Sequence, residues 1–144
     1  MFELLADLHG YDRWLPSSSD YRGTSEISPP PVQVGTTYRE TSPSGVRTGV
    51  VTAFDPPREV VFHQPMALRP RFAGTIDSTV TMGVSEPDAS TGTVRVARVV
   101  ELGIPRRLAL LRGIVVGRYG AESERMLRAL KSFAERETDG GRHP

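Results

Sequence analysis

Between residues 72 and 84 the chain alternates regularly enough to fix its geometry. The even positions are Phe72, Gly74, Ile76, Ser78, Val80, Met82 and Val84, of which five of seven are large and apolar. The odd positions are Ala73, Thr75, Asp77, Thr79, Thr81 and Gly83. A period of two is a strand, and an apolar set on one side means that one face is buried and the other wet. From 94 to 102 the pattern returns, with Val94, Val96, Arg98, Val100 and Leu102 against Thr93, Arg95, Ala97, Val99 and Glu101. Two such strands call for an antiparallel sheet covered on one face only.

Three more strands are expected over Val34 to Thr41, Val46 to Phe54 and Glu59 to Gln64, separated by Ser42-Pro43-Ser44-Gly45 and Asp55-Pro56-Pro57. Val46 to Phe54 is ambiguous, because both faces carry apolar residues. Tyr21 to Ile27 is a further strand candidate, Ser17 to Asp20 reads as loop, and the proline run at 29–31 excludes a helix or a central strand. Residues 2 to 9 space Phe2, Leu5 and Leu8 as a short helix stopped by Gly10, with another turn or two up to Pro16. From Pro105 to about Arg136 the pattern is helical, with Tyr119, Met126, Leu130 and Phe133 on one stripe and a kink expected near Gly117 to Gly120. Residues 139–144 are expected to be a disordered tail.

A chain of 144 residues suits one domain, here residues 1–138. With no cysteine, disulfides, thiolate metal sites and a cysteine nucleophile are excluded. A net charge of +1 argues against a dedicated nucleic-acid binder. Its basic residues are 17 Arg and one Lys, and Asn is absent. That is the coding bias of a GC-rich, bacterial genome. Glu3 and Asp7 near the start are unlike a signal peptide, and no apolar run spans a membrane, so a cytoplasmic protein is expected.

The order of these elements carries a resemblance. Leu4-Leu5-Ala6-Asp7-Leu8 leads into Tyr11-Asp12-Arg13-Trp14-Leu15-Pro16. Val34-Gly35-Thr36 opens a strand, and Val51-Thr52-Ala53-Phe54-Asp55-Pro56-Pro57-Arg58 links two more. With the closing helix LRALKSFAE (Leu127 to Glu135), nearly the whole chain resembles the START-like, polyketide cyclase/dehydrase superfamily known as SRPBCC. The resemblance implies an α+β helix-grip fold. A curved antiparallel sheet wraps around the C-terminal helix and leaves an apolar cavity for lipids, polyketides or similar molecules. Members of that superfamily usually begin with a strand before the first helix. This chain begins inside the helix, so either its start lies upstream of Met1 or the sheet lacks a strand. The second case leaves an open edge, for which a homodimer or aggregation is expected.

Alternation and resemblance together name the expected cavity lining: Trp14, Tyr38, Phe54, Phe62, Gln64, Phe72, Ile76, Val80, Val96, Arg98, Leu111, Val115 and Tyr119. Arg98 is the sharpest of these, an arginine between Val96 and Val100 on an apolar face. It would meet a ligand carboxylate, phosphate or enolate, or else snorkel at the rim or pair with an acidic residue. Tyr38 would orient a ligand carbonyl or serve as a core aromatic. His63 is a general-base candidate that points outward if Phe62 and Gln64 point inward. His9, His63 and His143 are too scattered to hold a metal, no glycine-rich phosphate loop is present, and no cofactor is expected. Ile104 to Arg118 carries four arginines, no acid and many apolar residues. It reads as an amphipathic segment with its apolar side buried, or as a weak peripheral membrane contact. Three functions therefore stay open. They are a carrier of a hydrophobic small molecule, a cofactor-independent cyclase or dehydratase, and a membrane-surface module.

Overall fold

A computed structural model describes residues 1–16, 21, 23–69 and 71–140. The chain is α+β. Helix α1 (Phe2–Ala6) and a 3-10 segment (Leu8–Arg13) precede seven strands. These are β1 (Thr24–Ser25), β2 (Thr37–Ser42), β3 (Gly45–Asp55), β4 (Glu59–His63), β5 (Met66–Leu68), β6 (Thr75–Val84) and β7 (Val96–Gly103). A second 3-10 turn, Arg71–Ala73, precedes β6, and a third, Arg106–Leu111, runs directly into α2 (Arg112–Gly140). All strand pairs are antiparallel in one sheet.

β4 and β5 lie on one line between β3 and β6, interrupted at Gln64-Pro65. Proline has no N–H for the ladder, so the line breaks there. It resumes because Thr48 donates to the Pro65 carbonyl (3.2 Å) and Gln64 donates to that of Ser78 (2.9 Å). β5 was not expected, since Pro65 reads as a strand end. β7 pairs only with β6, and among the described residues nothing pairs with its other edge.

The even residues of β6 and β7 face the helices, as their alternation requires. Ile76, Ser78, Val80 and Met82 are all buried, and the inward residues of β7 are half-buried while their odd neighbours are exposed. β3 explains its own ambiguity. Val51 pairs with Phe62 and Ala53 with Val61, so Thr52 is an extra residue. That bulge changes the inward parity from odd (Val51) to even (Phe54).

Phe2, Leu5, Leu8, Tyr11 and Trp14 cover one part of the inner face, and Met126 and Leu130 of α2 cover another. Gly10 does not stop a helix. The α-helix already ends at Ala6, and the 3-10 segment runs through position 10. A side chain at Gly10 would meet the Asp7–Arg13 ion pair, with a Cβ only 2.5 Å from Asp7 Oδ2. The expected strand over Tyr21 to Ile27 reduces to Thr24–Ser25, and Ser17 to Asp20 lie outside the described residues. α2 is unbroken across Gly117 and Gly120. Its change of helix type falls at Leu111/Arg112, and it continues past Arg136 to Gly140. Residues 141–144 of the expected tail lie outside the described residues.

Candidate functional site

Inward-facing polar residues meet where the sheet, the first 3-10 segment and α2 converge. β2 supplies Tyr38 and Glu40, β3 supplies Arg47, and β7 supplies Arg98. Gln64 follows β4, and Tyr11 enters from the 3-10 segment. α2 closes the chamber with Tyr119, Glu122 and Arg125. Three guanidiniums thus stand against two carboxylates. The chamber's free volume is about 50 Å³. A water needs roughly 10–15 Å³ of such space, so the chamber holds only a few waters or a small polar group.

Local sequence explains the placement. Gly49 lies opposite Tyr38, and a Cβ there would fall 2.1 Å from the Tyr38 ring. Glycine therefore lets the phenol lie against β3. Its hydroxyl donates to Gln64 Oε1 at 2.6 Å, and its ring meets Phe62 edge-on. The Tyr11 hydroxyl donates to the Leu5 carbonyl. Burial raises the phenol pKa of both tyrosines well above the ordinary value, so each stays a protonated donor.

Glu40 and Arg47 approach within 3.5 Å, each with a side chain only 11% exposed. Burial raises the Glu40 carboxyl above its usual range, with Arg47 and Arg98 opposing the shift. Arg47 also lies over the Tyr119 ring, 5.7 Å from its centroid. Arg125 donates to Glu122 (3.0 Å) and to the Pro16 carbonyl (2.6 Å), tying α2 to the N-terminal segment.

The Arg47 Nε is sealed from solvent without a hydrogen-bond partner among the described residues, although that guanidinium is ion-paired to Glu40. The Nε of Arg98 is sealed in the same way. Burial lowers its pKa, while the Glu40 carboxylate favours its charge. Arginine starts so high that it stays protonated. A buried donor on a cation without an acceptor is costly, and the cost is relieved by an anion or a polar oxygen.

A second chamber of about 80 Å³ adjoins the first and shares Arg47, Tyr119 and Glu122 with it. It is more apolar, walled by Met66, Leu68, Ile76 and Val115. Tyr119 donates weakly to Met66 Sδ at 3.7 Å across it.

The expected lining residues distribute unevenly. Tyr38, Phe62, Gln64, Val80, Arg98 and Tyr119 line the polar chamber, and Ile76, Val115 and Tyr119 line the apolar one. Val96 faces an open groove with Met1, Leu127 and Leu130. Phe54 packs on Phe2, and Trp14 packs edge-on to Tyr11, both in the core. Two expectations are corrected. Phe72 is 77% exposed, because Gly74 (φ +97°) breaks the alternation and β6 starts only at Thr75. Leu111 is 48% exposed, because it ends a 3-10 segment that stands off the sheet. His63 is on the outer face, bonded to Asp77 at 2.6 Å and remote from both chambers.

Glu40, Arg47 and Tyr11 were not anticipated. Extending the Tyr38 parity by two residues finds Glu40. Arg47 was hidden by the bulge in its strand, and Tyr11 lies in a segment with no usable period. No group of three metal-ligating side chains occurs among the described residues. No family model, no curated protein and no solved structure matches this chain.

Proposed function

We propose that this chain is a helix-grip domain of the SRPBCC kind that binds a small molecule with an apolar body and an anionic or enolate-like oxygen head. The head would sit at Arg98 and the body would extend toward Ile76 and Val115. The observation that carries this reading is the partnerless buried Nε of Arg98 on a chamber wall with more guanidiniums than carboxylates. The seven-stranded sheet with a long C-terminal helix is compatible with the fold. Neither chamber alone admits a lipid-sized ligand, which needs several hundred Å³. Entry therefore requires the two to merge by displacement of Tyr119 and the first turns of α2.

One observation favours chemistry as a second reading. Glu40 is a buried carboxyl with a raised pKa beside Arg98, the kind of group that moves protons in a cyclase or dehydratase. Its contact with Arg47 makes binding without turnover the preferred reading.

Native mass spectrometry with organic extraction of the bound material is the direct test. Expected is an extractable apolar adduct with an acidic or enolisable group, lost in Arg98→Leu. Calorimetry with dodecanoate against dodecanol covers protein that carries no adduct, and the carboxylate should bind better only when Arg98 is present. Leu removes a cation that opposes the burial of the Glu40 carboxylate, so the variant should lose up to about 3–5 kcal/mol at neutral pH, and circular dichroism checks that it is folded before the affinities are compared. Equal dodecanoate affinity in both proteins would remove Arg98 from the site.

A further inference from the structure

The geometry points to a docking surface for an anionic lipid bilayer, built from the Phe72 turn and the start of the C-terminal helical segment. Seven large hydrophobic residues are conspicuously exposed in the described chain, and five of them are here. Leu110 is 99% exposed, Phe72 77%, Ile114 62%, and Leu111 and Val116 48% each. The two pieces are held together, since Arg107 Nη1 donates to the Phe72 carbonyl and Pro105 lies against Gly74. Arg106, Arg107 and Arg112 are exposed among these apolar residues, and no acidic residue occurs from Gly103 to Ala121.

This arrangement chooses between occupants. A second copy related by a two-fold axis would bring the same arginines face to face, which like-charge repulsion disfavours. A protein partner normally anchors in a walled pocket. Leu110, fully clear of its own chain, offers no walls. A bilayer needs none. It accepts protruding apolar side chains into its interface and attracts the arginines to anionic headgroups. No helix of the described chain is long and apolar enough to cross a membrane, so the contact is peripheral. Val115 and Tyr119 on the opposite side of the same turns wall the apolar chamber. The bilayer would thus meet the segment that covers the interior, although docking does not depend on what the interior binds.

The test is co-sedimentation of the full chain with vesicles of phosphatidylglycerol and phosphatidylcholine, against vesicles of phosphatidylcholine alone. Binding is expected on the anionic vesicles and should fall as salt rises. Leu110→Asp with Ile114→Asp should weaken it at least about tenfold, and Arg106→Gln with Arg112→Gln should remove most of its salt dependence. These side chains are exposed, so the variants keep the fold, which circular dichroism checks. Three outcomes overturn the proposal. They are no sedimentation with anionic vesicles at low salt, equal binding by the Asp variant, and a wild-type dimer in analytical ultracentrifugation that the Asp variant abolishes. The last would make the occupant a second copy of the chain.

Discussion

The two halves of α2 share one unbroken hydrogen-bond ladder, yet they are fixed to the molecule differently. From Glu122 onward the helix is anchored. Met126 and Leu130 are 6% and 2% exposed, and Arg125 reaches the Pro16 carbonyl. From Arg112 to Ala121 no residue is buried, and only Val115 and Tyr119 turn partly inward. Gly113, Gly117 and Gly120 lie in this half, and a Cβ at any of them would meet nothing within 4 Å. They are not there for close packing. Helical stability in proteins comes chiefly from a packed face, and glycine adds a local penalty. The first half therefore holds its shape largely by continuity with the second. One helix combines a buried anchor with a lightly held cover, tied to the sheet through Arg118 to Ser44 (3.3 Å) and Tyr119 to Met66 (3.7 Å).

Truncation should expose this difference most strongly. Leu130→Ala removes a buried side chain and should cost about 2–5 kcal/mol in urea unfolding. Ile114→Ala, on the same helix, should stay within about 0.5 kcal/mol. Comparable losses at both positions would mean that the first half is packed as firmly as the second. Next in size is the glycine set. Changing Gly113, Gly117 and Gly120 together to Ala should stabilise the helix by up to about 1 kcal/mol per site. Amide exchange should slow over Arg112 to Ala121 and stay unchanged beyond Glu122. Destabilisation by this variant would show that the glycines accommodate a neighbour after all.

The sequence disclosed the parts governed by local periodicity. Alternation alone put Arg98 on the apolar face of β7, and it put His63 on the outer face of β4 on the condition that Phe62 and Gln64 point inward. It failed where one residue resets the period. Thr52 did so inside β3 and hid Arg47, Gly74 did so before β6 and misplaced Phe72, and Pro65 concealed β5. The exposure of Leu110 and Ile114 was illegible for another reason. An amphipathic pattern has the same period whether its apolar side meets a sheet or solvent, and only the reach of the sheet decides which. Tyr11 gave no signal because a 3-10 segment places side chains at neither helical nor strand spacing.

The smallest expected effect concerns the seam between the halves, where Glu40 faces Arg47 and Arg98 beneath Tyr119 and Glu122. Burial raises the Glu40 carboxyl above its ordinary value of 4.5, so the folded protein holds that proton to higher pH than the unfolded chain does. The stability linked to this group is then complete below about pH 4.5 and is lost as pH rises through the raised value. Glu40→Gln keeps the shape but cannot ionise. The stability of the wild type relative to this variant should therefore fall across that interval and level off above it. Urea unfolding at several pH values measures the difference. A ligand anion at Arg98 would add negative charge beside the carboxyl, raise it further and move the fall to higher pH. If the difference does not change with pH, the two arginines fully offset the burial of the carboxylate. The seam would then be a settled ion cluster with less capacity for an incoming anion than Arg98 alone suggests.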